Sequence, residues 1–127
     1  RTYLRTHLDP IADRIRLIDG HGEVLPGITV EPVIGHTPGQ QGVLVNDSDR
    51  TIAFLGDLLP TVHHAHPYAA TAYDMEPYET LLTKARILQR AEDEDWTIIL
   101  DHESGDPVVR VIRDERGRRT LGPRNPA

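Results

Sequence analysis

The chain has 127 residues, of which 14 are lysine or arginine and 20 are aspartate or glutamate, so its formal net charge is −6. This length suits one domain, and a hydrophobic content of 38% excludes a collagen-like or plainly disordered chain. No apolar stretch approaches the roughly 20 residues that span a bilayer. Because the acidic balance also disfavours nonspecific binding to polyanions, we expect neither a nucleic-acid nor a membrane partner.

The cysteine and histidine contents limit the kinds of catalytic or metal site that the chain can form. The chain has no cysteine and seven histidines, which excludes a disulfide scaffold, a thiolate nucleophile and a cysteine-ligated zinc site. Absence of cysteine is compatible with a reducing compartment, and we expect a cytoplasmic location. The chain begins at Arg1 and its only methionine is Met75, so we interpret it as a processed or truncated fragment.

The first half of the chain predicts a series of short strands. Residues 1–14 are expected to be irregular or to form a short helix. Apolar segments between clusters of turn-forming residues predict strands at 15–18, 24–25, 28–34, 43–45 and 51–55. Pro32 suggests an edge strand or a bulge, and the nearly continuous apolar run 51–55 suggests a strand buried on both faces.

The second half predicts a long connection, a helix and further strands. The connection, 56–75, has a length typical of functional or mobile loops. The 3.6-residue spacing of apolar positions predicts a helix over 77–91, with a core stripe of Leu81, Leu82, Ala85 and Leu88. Further strands are predicted at 96–100, at 108–113 and after a turn at 115–118, the last two forming a solvated hairpin rich in arginine. Strands, a helix and more strands without regular alternation favour an α+β fold.

Three polar residues share one position relative to the predicted strands. His36, Asp57 and His102 each lie just beyond the carboxyl end of an apolar strand. If those strands are neighbours with the same direction, the three side chains meet at one rim of the sheet. Imidazole and carboxylate are ligands of zinc, with manganese and iron as alternatives, and a carboxylate between two histidines can bridge two ions. The spacings of 21 and 45 residues are too long for a local zinc motif.

The residues around these positions form three short motifs, GHTPG at 35–39, LGD at 55–57 and LDH at 100–102. Together they resemble the C-terminal half of the metallo-β-lactamase-fold hydrolases, over roughly residues 24–105. The resemblance extends to the bacterial branch with lactonase-like and organophosphate-hydrolase-like members. It implies half of an αββα sandwich, namely a mixed β-sheet with a covering helix.

The resemblance also implies roles for the three residues. His36 would ligate the first metal ion, His102 the second, and Asp57 would bridge both as the catalytic carboxylate. A hydroxide between two divalent ions, expected to be zinc, would then attack the substrate. The resemblance implies hydrolysis of a small molecule that contains an ester, lactone, thioester or phosphoester bond.

The chain departs from the family pattern in its ligand set. The H-x-H-x-D-H motif of the family's N-terminal half is absent, and the only H-x-H, at 64–66, lies downstream of Asp57. Gln40 stands where the family often has a histidine. We therefore interpret residues 1–127 as the C-terminal portion of a single domain, inactive alone, whose partner is the missing N-terminal half or a second copy. The alternative is a non-catalytic half-domain that dimerises or binds another protein and holds at most one metal ion.

The long connection carries three candidate substrate-binding residues, His64, Tyr68 and Tyr73. Either tyrosine could hydrogen-bond a substrate oxygen or simply pack against the protein. The histidines of this loop suggest a second metal site, but solvated side chains on a substrate-side loop are the favoured interpretation. His7 and His21 are expected at the surface.

Overall fold

The computed structural model describes residues 4–124, which form one seven-stranded mixed sheet with strands in chain order. The strands are β1 (Gly22–Leu25), β2 (Ile28–Pro32), β3 (Gln41–Asp47), β4 (Arg50–Phe54), β5 (Thr97–Ile99), β6 (Val108–Arg113) and β7 (Arg119–Pro123). Neighbours are antiparallel except β4 and β5, which are parallel. The predicted α+β class, a mixed sheet with a covering helix, is confirmed.

The main helix, α2 (Pro77–Asp93), connects β4 to β5. A parallel pair needs a crossover connection of this kind, and proline at the first turn has the backbone angle that a helix requires. A short helix α1 (Arg5–Leu8) and a 3-10 helix (Asp9–Arg14) precede the sheet, and 3-10 turns occupy Gly56–Leu58 and Val62–Ala65. Among the described residues, no helix has the length and apolarity needed to cross a membrane.

The hydrophobic core lies between α2 and one face of the sheet. Alternate strand residues point towards the helix, as the two-residue period of a strand requires. The buried side chains include Leu44, Ala53, Ile98 and Val109 from the sheet and Ile87, Leu88 and Ala91 from α2. Trp96, which follows the helix, is fully buried.

The opposite face of the sheet has no covering layer among residues 4–124. Val45, Ile52 and Phe54 on this face are 37%, 41% and 43% exposed. The prediction that 51–55 is buried on both faces is therefore wrong for this chain. The alternating residue Ala53 is 0% exposed, because α2 covers only its side of the sheet.

Two strand predictions are corrected by the structure. Residues 15–18 are not a strand: Arg16 donates a side-chain hydrogen bond to the Glu23 carbonyl, and Gln41 donates one to the carbonyl of Ile18. These side-chain contacts replace a backbone ladder. Pro32 lies in the internal strand β2 and not in an edge strand: it is the last residue of β2 and pairs with Gln41. The pairing of β2 with β1 ends at Val30, so the β1 side of Pro32 has no strand partner.

The predicted core stripe of α2 is partly wrong. Leu88 is buried, but Leu82 is 45% exposed and Ala85 is also exposed. Their place on the inner face is taken by three buried polar residues, Thr80, Thr83 and Lys84. Polar groups tolerate burial when they are hydrogen-bonded, and Lys84 Nζ donates to the Ala69 carbonyl at 2.7 Å.

Candidate metal centre

The sheet topology brings the ends of three strands to one rim. β2 and β4 are each antiparallel to β3, so they run in the same direction, and β5 is parallel to β4. The residues that follow these carboxyl ends include His36, Asp57 and His102. The structure therefore brings the three predicted metal ligands together.

The Asp57 carboxylate lies between the two histidines. Its Oδ2 is 3.5 Å from Nε2 of His36, and its Oδ1 is 3.1 Å from Nε2 of His102. The side chains of His36, Asp57 and His102 are 22%, 40% and 63% exposed. Each oxygen of one carboxylate thus faces a different imidazole, at a place that solvent can reach.

Asp101 belongs to the same cluster. One potential ligand atom from each of Asp57, Asp101 and His102 lies within 4.8 Å of the others. Asp101 is not among the ligands predicted from the sequence, although it immediately precedes His102 in the LDH motif. Its position next to His102 could have indicated it, because adjacent residues in a tight bend can both face one ion.

The loop that carries His36 is clamped to the start of α2. Gly35 has φ +145°, and a Cβ there would lie 2.5 Å from the backbone nitrogen of Thr80, so only glycine allows this approach. The amide of Glu76 donates to the Gly35 carbonyl at 2.9 Å, and that of Met75 donates to the His36 carbonyl at 3.1 Å. The glycine of the motif thus permits the close contact that aims His36.

The other two candidate ligands are held by hydrogen bonds near the rim. Asp57 lies in a 3-10 turn after Gly56, whose φ is +52°. Gln40 donates its side-chain amide to the Leu55 carbonyl at 2.9 Å and so joins the His36 loop to the end of β4. The amide of His102 donates to the Pro60 carbonyl at 3.1 Å. These contacts hold the rim as one unit.

The residues present fit divalent ions. Two atoms that ligate one tetrahedral ion at about 2.1 Å lie roughly 3.4 Å apart, and the separations from Asp57 to His36 and His102 are 3.5 and 3.1 Å. Nitrogen and carboxylate oxygen donors suit zinc, manganese and iron. The geometry therefore allows one ion beside each oxygen of Asp57.

Two of the three predicted substrate-binding residues are highly exposed. Tyr68 and Tyr73 are 78% and 83% exposed, and the Tyr68 ring centroid lies 5.5 Å from that of His66. Nδ1 of His64 lies 2.9 Å from the Thr61 hydroxyl; burial, followed by the charge of Lys84, holds the pKa of His64 below its usual range. Within residues 4–124, none of the loop histidines belongs to a three-residue ligand cluster.

Asp74 is a further acidic residue at the site, and it is not among the site residues predicted from the sequence. Its side chain is 1% exposed, and its Oδ1 lies 3.1 Å from Nδ1 of His36. Burial raises the pKa of Asp74, but hydrogen bonds from Thr71, His36 and Thr80 outweigh it and hold the pKa below its usual range. No local motif pointed to this contact, because 38 residues separate the two side chains.

Comparison with known proteins places the chain in context. The family described as the metallo-beta-lactamase superfamily matches residues 2–102. A search of curated proteins found no match.

Solved structures share the fold over most of the chain. A probable metal-dependent hydrolase from Staphylococcus aureus is 23% identical with a TM-score of 0.76, over 86% of this chain and 39% of that one. AidC, a dizinc quorum-quenching lactonase, is 14% identical with a TM-score of 0.78, over 97% and 42%. The hydrolase AbOPH is 20% identical with a TM-score of 0.73, over 94% and 42%. The chain thus spans about two-fifths of the length of these structures.

Proposed function

The chain belongs to the metallo-beta-lactamase superfamily, and from this premise we propose that it supplies part of the catalytic centre of a metal-dependent hydrolase. The observation that carries the proposal is the position of Asp57, whose two oxygens face Nε2 of His36 and Nε2 of His102. A carboxylate so placed suits a shared ligand of two ions.

In this proposal His36 and Asp57 hold one divalent ion, and Asp57, Asp101 and His102 hold the other. Zinc is the proposed ion, supported by the imidazole and carboxylate donors and by the description of AidC as a dizinc enzyme. Bound ions would supply Lewis-acid polarisation of the substrate and make water a better nucleophile at neutral pH. The chain's own residues orient the ligands, and the 63% exposed side chain of His102 leaves the site open to a substrate.

The proposed substrates are small molecules with an ester, lactone, thioester or phosphoester bond. The named activity of AidC, a lactonase, supports the lactone in particular. His64, Tyr68 and Tyr73 remain the proposed substrate-side residues, since the exposed tyrosines leave room for a ligand. A bacterial origin and a cytoplasmic location also stay predictions.

Completion of the site requires further ligands, proposed to come from an H-x-H-x-D-H segment that packs on the open face of the sheet. The second candidate function is a non-catalytic half-domain that uses this face to dimerise or to bind another protein. The observation that favours it is the same exposed row of Val45, Ile52 and Phe54.

Zinc binding by the purified protein tests the proposal. Asp57→Asn should weaken zinc binding by more than about 10-fold, since even a partner outside the ligand set is worth about 10- to 100-fold. Asp47→Asn is the matched control, because it removes one carboxylate at the opposite end of the sheet, in the last residue of β3. Equal zinc affinity of Asp57→Asn and the wild-type protein would contradict the proposal.

Hydrolysis separates the two candidate functions. The four substrate classes would be assayed with zinc and with an added polypeptide that carries H-x-H-x-D-H. We expect metal-dependent turnover in the mixture, and its loss with Asp57→Asn. A stable complex without turnover of any class would favour the non-catalytic half-domain.

A further inference from the structure

We infer that Asp74 is a positioning residue that keeps the His36 imidazole in the tautomer with its proton on Nδ1. This leaves the lone pair of Nε2 directed at the metal position beside Asp57. The inference rests on the proposed function, because it gives the buried carboxylate its purpose at the same metal centre.

Two carboxylates compete for the proton of a neutral His36 ring. Asp74 lies 3.1 Å from Nδ1 and its side chain is 1% exposed, whereas Asp57 lies 3.5 Å from Nε2 and is 40% exposed. A hydrogen bond to a carboxylate is stronger when it is short and shielded from water. Asp74 therefore holds the proton on Nδ1, and Nε2 is the acceptor nitrogen.

Asp74 is itself held in one orientation. The Thr71 hydroxyl donates to its Oδ1 at 2.6 Å, and the Thr71 amide donates to its Oδ2 at 3.3 Å. The next residue, Met75, donates its amide to the His36 carbonyl. The Asp74 carboxylate and the backbone of His36 are thus held by independent contacts.

The contacts of Asp74 favour its role as a hydrogen-bond acceptor. Both of its carboxylate oxygens accept hydrogen bonds from Thr71. An ionised carboxylate only accepts hydrogen bonds, so it selects the ring nitrogen that carries a proton. Outer partners of this kind commonly fix the tautomer of a metal-binding histidine.

The tautomer can be measured without metal. Long-range ¹H–¹⁵N spectra of metal-free protein labelled at histidine, recorded at a pH of about 8.5, distinguish the two neutral tautomers, and His36→Gln assigns the signal. We expect the Nδ1–H form in the wild-type protein. In Asp74→Asn, the amide can donate to Nδ1, so we expect the population to move towards Nε2–H. An Nε2–H form in the wild-type protein, or an unchanged spectrum in Asp74→Asn, would overturn the inference.

Zinc affinity is the second measurement. Asp74→Asn should lower it by about 10- to 100-fold, and the Asp47→Asn control should leave both the spectrum and the affinity unchanged. If Asp74→Asn does not fold, Thr71→Val is used in its place. Thr71→Val removes the 2.6 Å hydrogen bond to Asp74, and it should change the tautomer population and the zinc affinity in the same direction by smaller amounts. A folded Thr71→Val with an unchanged tautomer and unchanged affinity would then overturn the inference.

The two proposals fail in different ways. If the wild-type protein binds no zinc, the proposed function is wrong, whatever the tautomer. If zinc binds and depends on Asp57 but the His36 tautomer does not depend on Asp74, only the positioning role is wrong.

Discussion

At the scale of single residues, Lys84 shows how a buried charge couples α2 to the loop before it. Its side chain is 1% exposed, and its hydrogen bond to Ala69 crosses from the helix to the long connection. Burial lowers the pKa of Lys84 to about 8, against the opposing effect of Asp74, which raises it. The folded protein thus releases this proton at a lower pH than the unfolded chain.

Lys84→Met should change the pH dependence of stability. Between about pH 8 and the unfolded value of 10.5, the unfolded state binds more protons, so stability of the wild-type protein rises with pH. Relative to Lys84→Met, we expect a gain of about 2–3 kcal/mol across this window. Urea unfolding of both proteins at pH 7, 8.5 and 10 measures it. A constant difference between the two proteins would contradict the predicted shift.

At the scale of elements, α2 contributes to both the core and the site. Its inner face supplies Ile87, Leu88 and Ala91 to the core, while its first turn contacts the His36 loop at Thr80. The same helix connects the parallel strands β4 and β5, whose ends precede the other two candidate ligands. Packing of α2 therefore sets the positions of all three strand ends.

Two leucines of α2 provide a matched test of this packing. Leu88 is 1% exposed and Leu82 is 45% exposed. Leu88→Ala should lower the free energy of unfolding by about 2–5 kcal/mol through lost burial and a residual cavity. Leu82→Ala should cost less than about 1 kcal/mol. Chemical denaturation measures both, and equal losses would show that α2 packs by a different face.

At the scale of the whole molecule, the chain has one covered and one open sheet face among residues 4–124. Val108 and Ile112 extend the exposed row of Val45, Ile52 and Phe54 across the sheet, each of the two being 36% exposed. A contiguous apolar patch of this kind marks an association surface. We expect the isolated chain to bury it against a second copy when no other layer is present.

Substitution of one residue on this face should weaken that self-association. Ile52→Lys places a charge at the centre of the row and should shift the chain towards monomer in analytical ultracentrifugation. Leu17→Lys is the control, since Leu17 is 89% exposed and precedes the sheet. A monomeric wild-type chain, or equal effects of the two substitutions, would contradict the role of this face.

Much of the fold was determined by local sequence pattern. The strands near 28–34, 43–45 and 51–55 and the helix from Pro77 lie where composition and turn residues predicted them. The GHTPG, LGD and LDH motifs identified the strand ends that meet at the rim. These features depend on neighbours within a few positions, where periodicity and turn chemistry act directly.

Other features were decided only by tertiary structure. Which face of α2 is buried depends on partners such as Ala69 for Lys84, and the contact between His36 and Asp74 spans 38 residues. At 15–18, where no strand forms, the Ile18 carbonyl likewise accepts from the distant Gln41 side chain, and Arg16 donates to the Glu23 carbonyl. Such contacts carry no local period, because they depend on how separate elements pack. The sequence by itself determined most of the elements and pointed to three residues of the candidate site, whereas the packing of α2 on the sheet decided their faces, their hydrogen bonds and the place of Asp74.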